Sequence, residues 1–122
     1  MVRIARFAVA CLTVLATGLP ASAAQALSPD QIKTQFGNGT PFNGVAVPGG
    51  RRYSLALKAD GTAEMTLLND KSKSAGTWRV STTGYCSKWG TKPEHCYTIE
   101  QNGKSYDVLN GSKAVIAHWT KA

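Results

Sequence analysis

The 122-residue sequence predicts a mainly β domain: a small antiparallel meander of about seven or eight strands closing into a barrel, with one short N-terminal helix. Three observations carry this. Short runs in which apolar and polar residues alternate recur along most of the chain, turn residues separate them about every eight to twelve positions, and Asp-Gly or Asn-Gly stands at three of the boundaries. A two-layer β-sandwich is the alternative, because counting turns does not separate it from a barrel.

The helix comes first, in Ser28–Gly37, SPDQIKTQFG. Ser28 suits the N-cap, Pro29 the first helical position, and Gln31 the reciprocal partner of a capping box. Asp30 complements the N-terminal dipole, and Gly37 is placed to give a left-handed stop. Leu27, Ile32 and Phe36 fall near one face, so the helix is expected to cover something apolar. Strands follow at Pro41–Val47, Arg52–Ala59, Thr62–Leu68, Gly76–Ser81, Tyr85–Trp89, Cys96–Gln101, Lys104–Leu109 and Lys113–Thr120. Pro48-Gly49-Gly50, Asp60-Gly61, Asn102-Gly103 and Asn110-Gly111 offer the positive φ of tight hairpins, so neighbouring strands should run antiparallel. Alternation places Tyr53, Leu55 and Leu57 on one face, then Ala63, Met65 and Leu67, and further along Trp78, Val80, Tyr97, Ile99, Tyr106, Val108, Val115, Ala117 and Trp119. One apolar face per strand over so many strands favours closure, since an open sheet leaves two unpaired edges.

Residues 1–23, MVRIARFAVACLTVLATGLPASA, have the form of a secretory signal: Arg3 and Arg6, an apolar run, then Pro20 and small residues before cleavage near Ala23-Ala24. Gly18 and Pro20 end the run short of the roughly 20 residues that a spanning helix needs. Cleavage leaves one domain, residues 24–122, with 12 Lys and Arg against 7 Asp and Glu, a formal charge of +5. A periplasmic or secreted location follows, with no membrane span once the signal is removed.

Export decides the cysteine chemistry. Of three cysteines, Cys11 leaves with the signal, and the even pair Cys86 and Cys96 is expected to form a disulfide in an oxidising compartment. Closing a loop of about eleven residues restricts the unfolded chain by roughly 3 kcal/mol in the chain-entropy picture. The competing chemistries lack parts. A zinc site would draw on Cys86, Glu94, His95 and Cys96 with no CxxC pair, and an oxidoreductase would show CxxC opening a helix.

In the stretch YSLALKADGTAEMTLLNDKSKSAGTWRVSTTGYCSKW, continued by CYTI, a DGT hairpin leads to GTW, a valine, YC, a tryptophan and a second cysteine. This order, between about Tyr53 and Val108, resembles small exported proteobacterial domains of uncharacterised activity, some with a calycin-like β-barrel. The resemblance implies a disulfide-stapled β domain in the periplasm. It transfers no catalytic residue.

The residues point to binding more than to catalysis. The sequence has no GxSxG, HExxH or glycine-rich phosphate loop, and its carboxylates fall in turns or on polar faces. His118 alternates with Ala117 and Trp119 and should face solvent. No cofactor or metal is called for. Tyr53, Trp78, Tyr97, Tyr106 and Trp119 either line a ligand cavity or fill a short barrel. The cysteine loop offers a second surface, with Trp89, Lys88, Lys92 and His95 as candidate partner contacts. Arg51-Arg52, Lys71 with Lys73, and Lys88 with Lys92 lie in or beside turns, so one end of the barrel could be basic. An acidic protein, a glycan or an anionic envelope component fits that charge; nucleic acid does not suit an exported chain without a stacking motif. A monomer is expected, and inhibition of a secreted hydrolase such as a lysozyme, through the loop Lys88–His95, is the alternative to ligand binding.

Overall fold

The computed structural model describes residues 24–121; the expected signal and Cys11 lie outside the described residues. The chain forms β1 (Gln25–Ala26), α1 (Pro29–Phe36), β2 (Phe42–Ala46), β3 (Arg52–Leu57), β4 (Thr62–Leu67), β5 (Lys73–Val80), β6 (Tyr85–Trp89), β7 (His95–Asn102), β8 (Ser105–Leu109) and β9 (Val115–Lys121). Strands β2 to β9 pair in sequence, all antiparallel, and β9 pairs back onto β2 from Phe42↔Lys121 to Ala46↔Ala117. Eight strands therefore close into a barrel, not a sandwich. Strand β1 is additional. It covers the edge of β7 at Glu100 and Gln101, beyond Tyr97, where the pairing with β6 ends.

Helix α1 forms as its sequence dictates. Ser28 Oγ accepts from the Gln31 backbone N–H at 3.2 Å, and Gln31 Oε1 accepts from the Ser28 N–H at 2.8 Å, which closes the capping box. The stop differs from expectation. Gly37 has φ −89°, outside the left-handed region, and the positive φ falls instead on Gly39 at 84°. Glycine stands at 37 because the Trp78 ring packs against it: a Cβ there would lie 2.6 Å from Trp78 Cη2.

The turns needed one more correction. Gly61 and Gly103 have the expected positive φ, but at Asn110-Gly111 the left-handed residue is Lys113, at 65°. The Asn110 side chain explains this. Its Oδ1 accepts from the N–H groups of Ser112 and Ala114, at 2.9 and 3.0 Å, and holds a longer turn in place of a two-residue hairpin. Strand β5 likewise begins at Lys73, three residues before the expected Gly76. Asp70 accepts from the Ser72 N–H and hydroxyl, which compacts the preceding turn.

The inward faces match the alternation except at the start of β9, where a register shift opposite Val108 and Leu109 puts Ile116, not the expected Val115, against the core. Leu57, Ile99, Val108, Ala117 and Trp119 are all at most 2% exposed, and α1 adds Ile32 and Phe36 from one end. Phe36 is the plug. Its ring centroid lies 4.8 Å from that of Phe42, 4.9 Å from Tyr106 and 5.3 Å from Trp119, in edge-on arrangements that aromatic quadrupoles favour.

Replacing Phe36 with Ala should cost about 3–5 kcal/mol, as for other buried aromatics. Ser28→Ala, which removes only the cap, should cost about 1 kcal/mol. Urea unfolding of both variants tests the order; equal midpoints would mean that α1 does not plug the barrel.

Candidate functional site

The interior is packed by the chain's own side chains. Tyr53, Trp78, Tyr106 and Trp119, which could have lined a cavity, belong to one buried cluster, and Tyr97 is half-buried against it. Their polar tips are satisfied inside the protein. Trp119 Nε1–H donates to Tyr53 Oη at 3.0 Å, Tyr106 Oη–H to Gln35 Oε1 at 3.0 Å, and Trp78 Nε1–H to the Lys58 carbonyl at 2.7 Å. Burial pushes the Tyr53 and Tyr85 hydroxyls above the ordinary tyrosine range, so both stay neutral near pH 7.

The exterior is asymmetric. In an antiparallel meander successive turns alternate between the two ends, so the β2–β3, β4–β5, β6–β7 and β8–β9 connections gather opposite α1. Those four turns and their flanks carry Arg51, Arg52, Lys71, Lys73, Lys88, Lys92 and Lys113, all exposed. These are seven of the twelve Lys and Arg in the described residues, and they share that end with two of the seven carboxylates, Asp70 and Glu94. The remainder of the domain balances, with five charges of each sign. The net charge therefore sits at one end. Both acids there are engaged, Asp70 with Ser72, and Glu94 with Arg79 on the barrel wall.

Two features of this end go beyond charge. Lys71 and Lys113 adopt φ 64° and 65°, a left-handed conformation in which a side chain is unfavourable. Leu68 is 40% exposed and, with Gly49, Gly50, Arg51, Arg52 and Asn69, lines a depression of about 420 Å³ between the β2–β3 and β4–β5 turns.

The stapled loop flanks the same end. Cys86 and Cys96 lie directly opposite each other on β6 and β7 and are joined by the disulfide; Cys86 is fully buried. Arg79, opposite Cys86 on β5, binds Glu94 through two hydrogen bonds of 3.0 and 2.9 Å, and so fixes the loop from its other side. Hydrogen bonding to this guanidinium holds the Glu94 carboxyl below the usual range. Among the described residues, Cys86, Glu94 and Cys96 are the one cluster of metal-ligating types, and its two sulfurs are bonded to each other. Trp89, Lys88, Lys92 and His95 do come together around this loop, but Trp89 is not a free anchor. It is half-buried, lies over Gly76 and packs against the core; a Cβ at Gly76 would meet its ring at 2.7 Å. Lys92 and His95 are exposed, and Lys88 Nζ donates to the Gly90 carbonyl at 3.2 Å.

One pair escaped the sequence reading. His118 and Asp107 are cross-strand partners on the outer wall, with Nδ1 and Oδ1 2.8 Å apart. Their cross-strand neighbours in the same row are Val45 and Glu100, neither of which is a nucleophile that a histidine could activate. Only the register of β8 on β9 reveals the pair, eleven residues apart through a turn whose length the sequence did not give.

No helix among the described residues is long and apolar enough to cross a membrane. No protein-family model, curated protein or solved structure matches this chain.

Three tests follow from this geometry. Depressed folded-state carboxyl pKa values, at Glu94 and Asp70, contribute stability that is present above the ordinary carboxylate range and is lost as pH falls through them, so unfolding midpoints should drop below about pH 4. Arg79→Ala should return the Glu94 titration, read by NMR, to the ordinary range; an unmoved titration would dismiss the Arg79 clamp as its cause. Lys71→Gly should raise stability by about 0.5–1 kcal/mol by relieving the left-handed backbone, measured by urea unfolding, and a loss would show that the lysine side chain is needed by the fold.

Proposed function

We propose that this domain is a non-enzymatic binding module, exported to the periplasm or beyond, which engages an anionic partner through the end of the barrel opposite α1. The observation that carries the reading is the segregation of charge: Arg51, Arg52, Lys71, Lys73, Lys88, Lys92 and Lys113 stand exposed on one end while the rest of the domain is balanced. Surface binding is favoured over ligand capture inside the barrel because the aromatic side chains fill it. The disulfide is compatible with an oxidising compartment, and the resemblance to small exported domains agrees with it.

Inhibition of a secreted hydrolase through the Lys88–His95 loop has one observation in its favour, the rigidity that the disulfide and the Arg79–Glu94 pair give that loop. The half-buried Trp89 weighs against it, since its ring already packs at home.

Retention on immobilised dextran sulfate under a salt gradient tests the basic end. Arg51→Gln with Arg52→Gln should elute at clearly lower salt than the parent, whereas Lys33→Gln with Lys104→Gln, at the helix end, should shift much less. Equal shifts for the two pairs would reduce the interaction to net charge and remove the end-specific reading.

A further inference from the structure

Resting on that reading, we propose that the anionic partner is the surface of a bilayer rich in anionic phospholipid, and that the barrel stands on it end-on, with Leu68 seated among the headgroups. The layout of the end favours a plane over a shaped partner. Its cations come from all four turns, so they form a ring around the barrel rim in place of a line or a single cleft. Five of the seven are lysines, whose long flexible stems suit mobile headgroups, and only Arg51 and Arg52 have the planar fork that a fixed carboxylate geometry rewards.

The apolar content of the ring points the same way. Leu68 is 40% exposed between Arg52 and Lys71. An anionic polysaccharide would use the charges and leave Leu68 in water. A bilayer uses both, because basic side chains stay with the phosphates while an aliphatic side chain enters the interfacial layer. Lys71 and Lys113 fit the same account. They occupy left-handed positions in the β4–β5 and β8–β9 turns, on opposite sides of the ring, where glycine would be cheaper for the backbone and would leave gaps in the cationic ring.

Co-sedimentation with vesicles tests this, using the exported protein with its mass checked and two vesicle compositions, equimolar phosphatidylglycerol with phosphatidylcholine, and phosphatidylcholine alone. The protein should sediment with the first and not the second. Each cation removed near a membrane surface is worth about fivefold, so Arg51→Gln with Arg52→Gln should weaken binding about 25-fold. Leu68→Ser, which leaves the charge unchanged, should weaken vesicle binding about fivefold and leave dextran sulfate retention as it was. Lys33→Gln with Lys104→Gln should change vesicle binding little, which also identifies any binding carried by a retained leader, since that would ignore both pairs. Dextran sulfate retention that depends on Arg51 and Arg52 without binding to phosphatidylglycerol vesicles would overturn the bilayer and leave the anionic-partner reading standing. Vesicle binding indifferent to Leu68→Ser would overturn the seated geometry, and failure to bind either probe through the basic end would overturn both readings.

Discussion

The pairing of β9 with β2 is the constraint on which the rest of the structure depends. Without it the meander would be an open sheet with two exposed edges, one at Phe42–Ala46 and one at Val115–Lys121, and each would leave backbone donors and acceptors unpaired. With it, every inward residue of eight strands converges on one axis. Trp119 then reaches Tyr53 across β2, and the helix that precedes β2 is left over one opening, where Phe36 enters the space between Phe42, Tyr106 and Trp119. Closure also fixes the chemistry of the surface. An even number of strands in simple sequence assigns alternate turns to opposite ends, so the residue types chosen for four turns become the composition of a single face.

How much of this could be read beforehand depends on what each feature rests on. The helix was legible to the residue because SPDQ carries its own cap, and seven of the eight barrel strands lie within a residue or two of their expected limits because alternation and turn residues are local signals. What failed was conformational detail inside turns. Asn110-Gly111 has the composition of a two-residue hairpin, yet the Asn110 side chain accepts from the N–H groups of Ser112 and Ala114 and passes the left-handed position to Lys113. Strand β1 was missed for a different reason. Two residues, Gln25 and Ala26, have no period, and they pair only because β6 stops short of the second half of β7. The basic end was foreseen as a possibility from three pairs of cations; its fourth contributor, Lys113, and the neutrality of everything else needed the topology.

The interior and the disulfide divide the work of stability in a way that bears on function. Large aromatic rings with internally satisfied hydrogen bonds occupy the barrel, while Cys86–Cys96 and Arg79–Glu94 lie on its outside, across β5, β6 and β7. The staple thus takes no core volume and restrains the segment next to the basic turns. The outer-wall pair Asp107–His118 has the same character, tying β8 to β9 near the closing seam. A small barrel stabilised from both sides can carry unfavourable backbone at Lys71 and Lys113 without losing its fold.

The uneven placement of charge has a consequence before any contact is made. A domain that is neutral over most of its length and positive at one end has an electric dipole along the barrel axis. In the field of a negatively charged body such a molecule rotates as it diffuses, so collisions are not random in orientation but arrive with the opening remote from α1 leading. Because that field decays over about 10 Å at 0.1 M ionic strength, the alignment acts only within the last stretch of the approach, and it strengthens as the medium becomes more dilute.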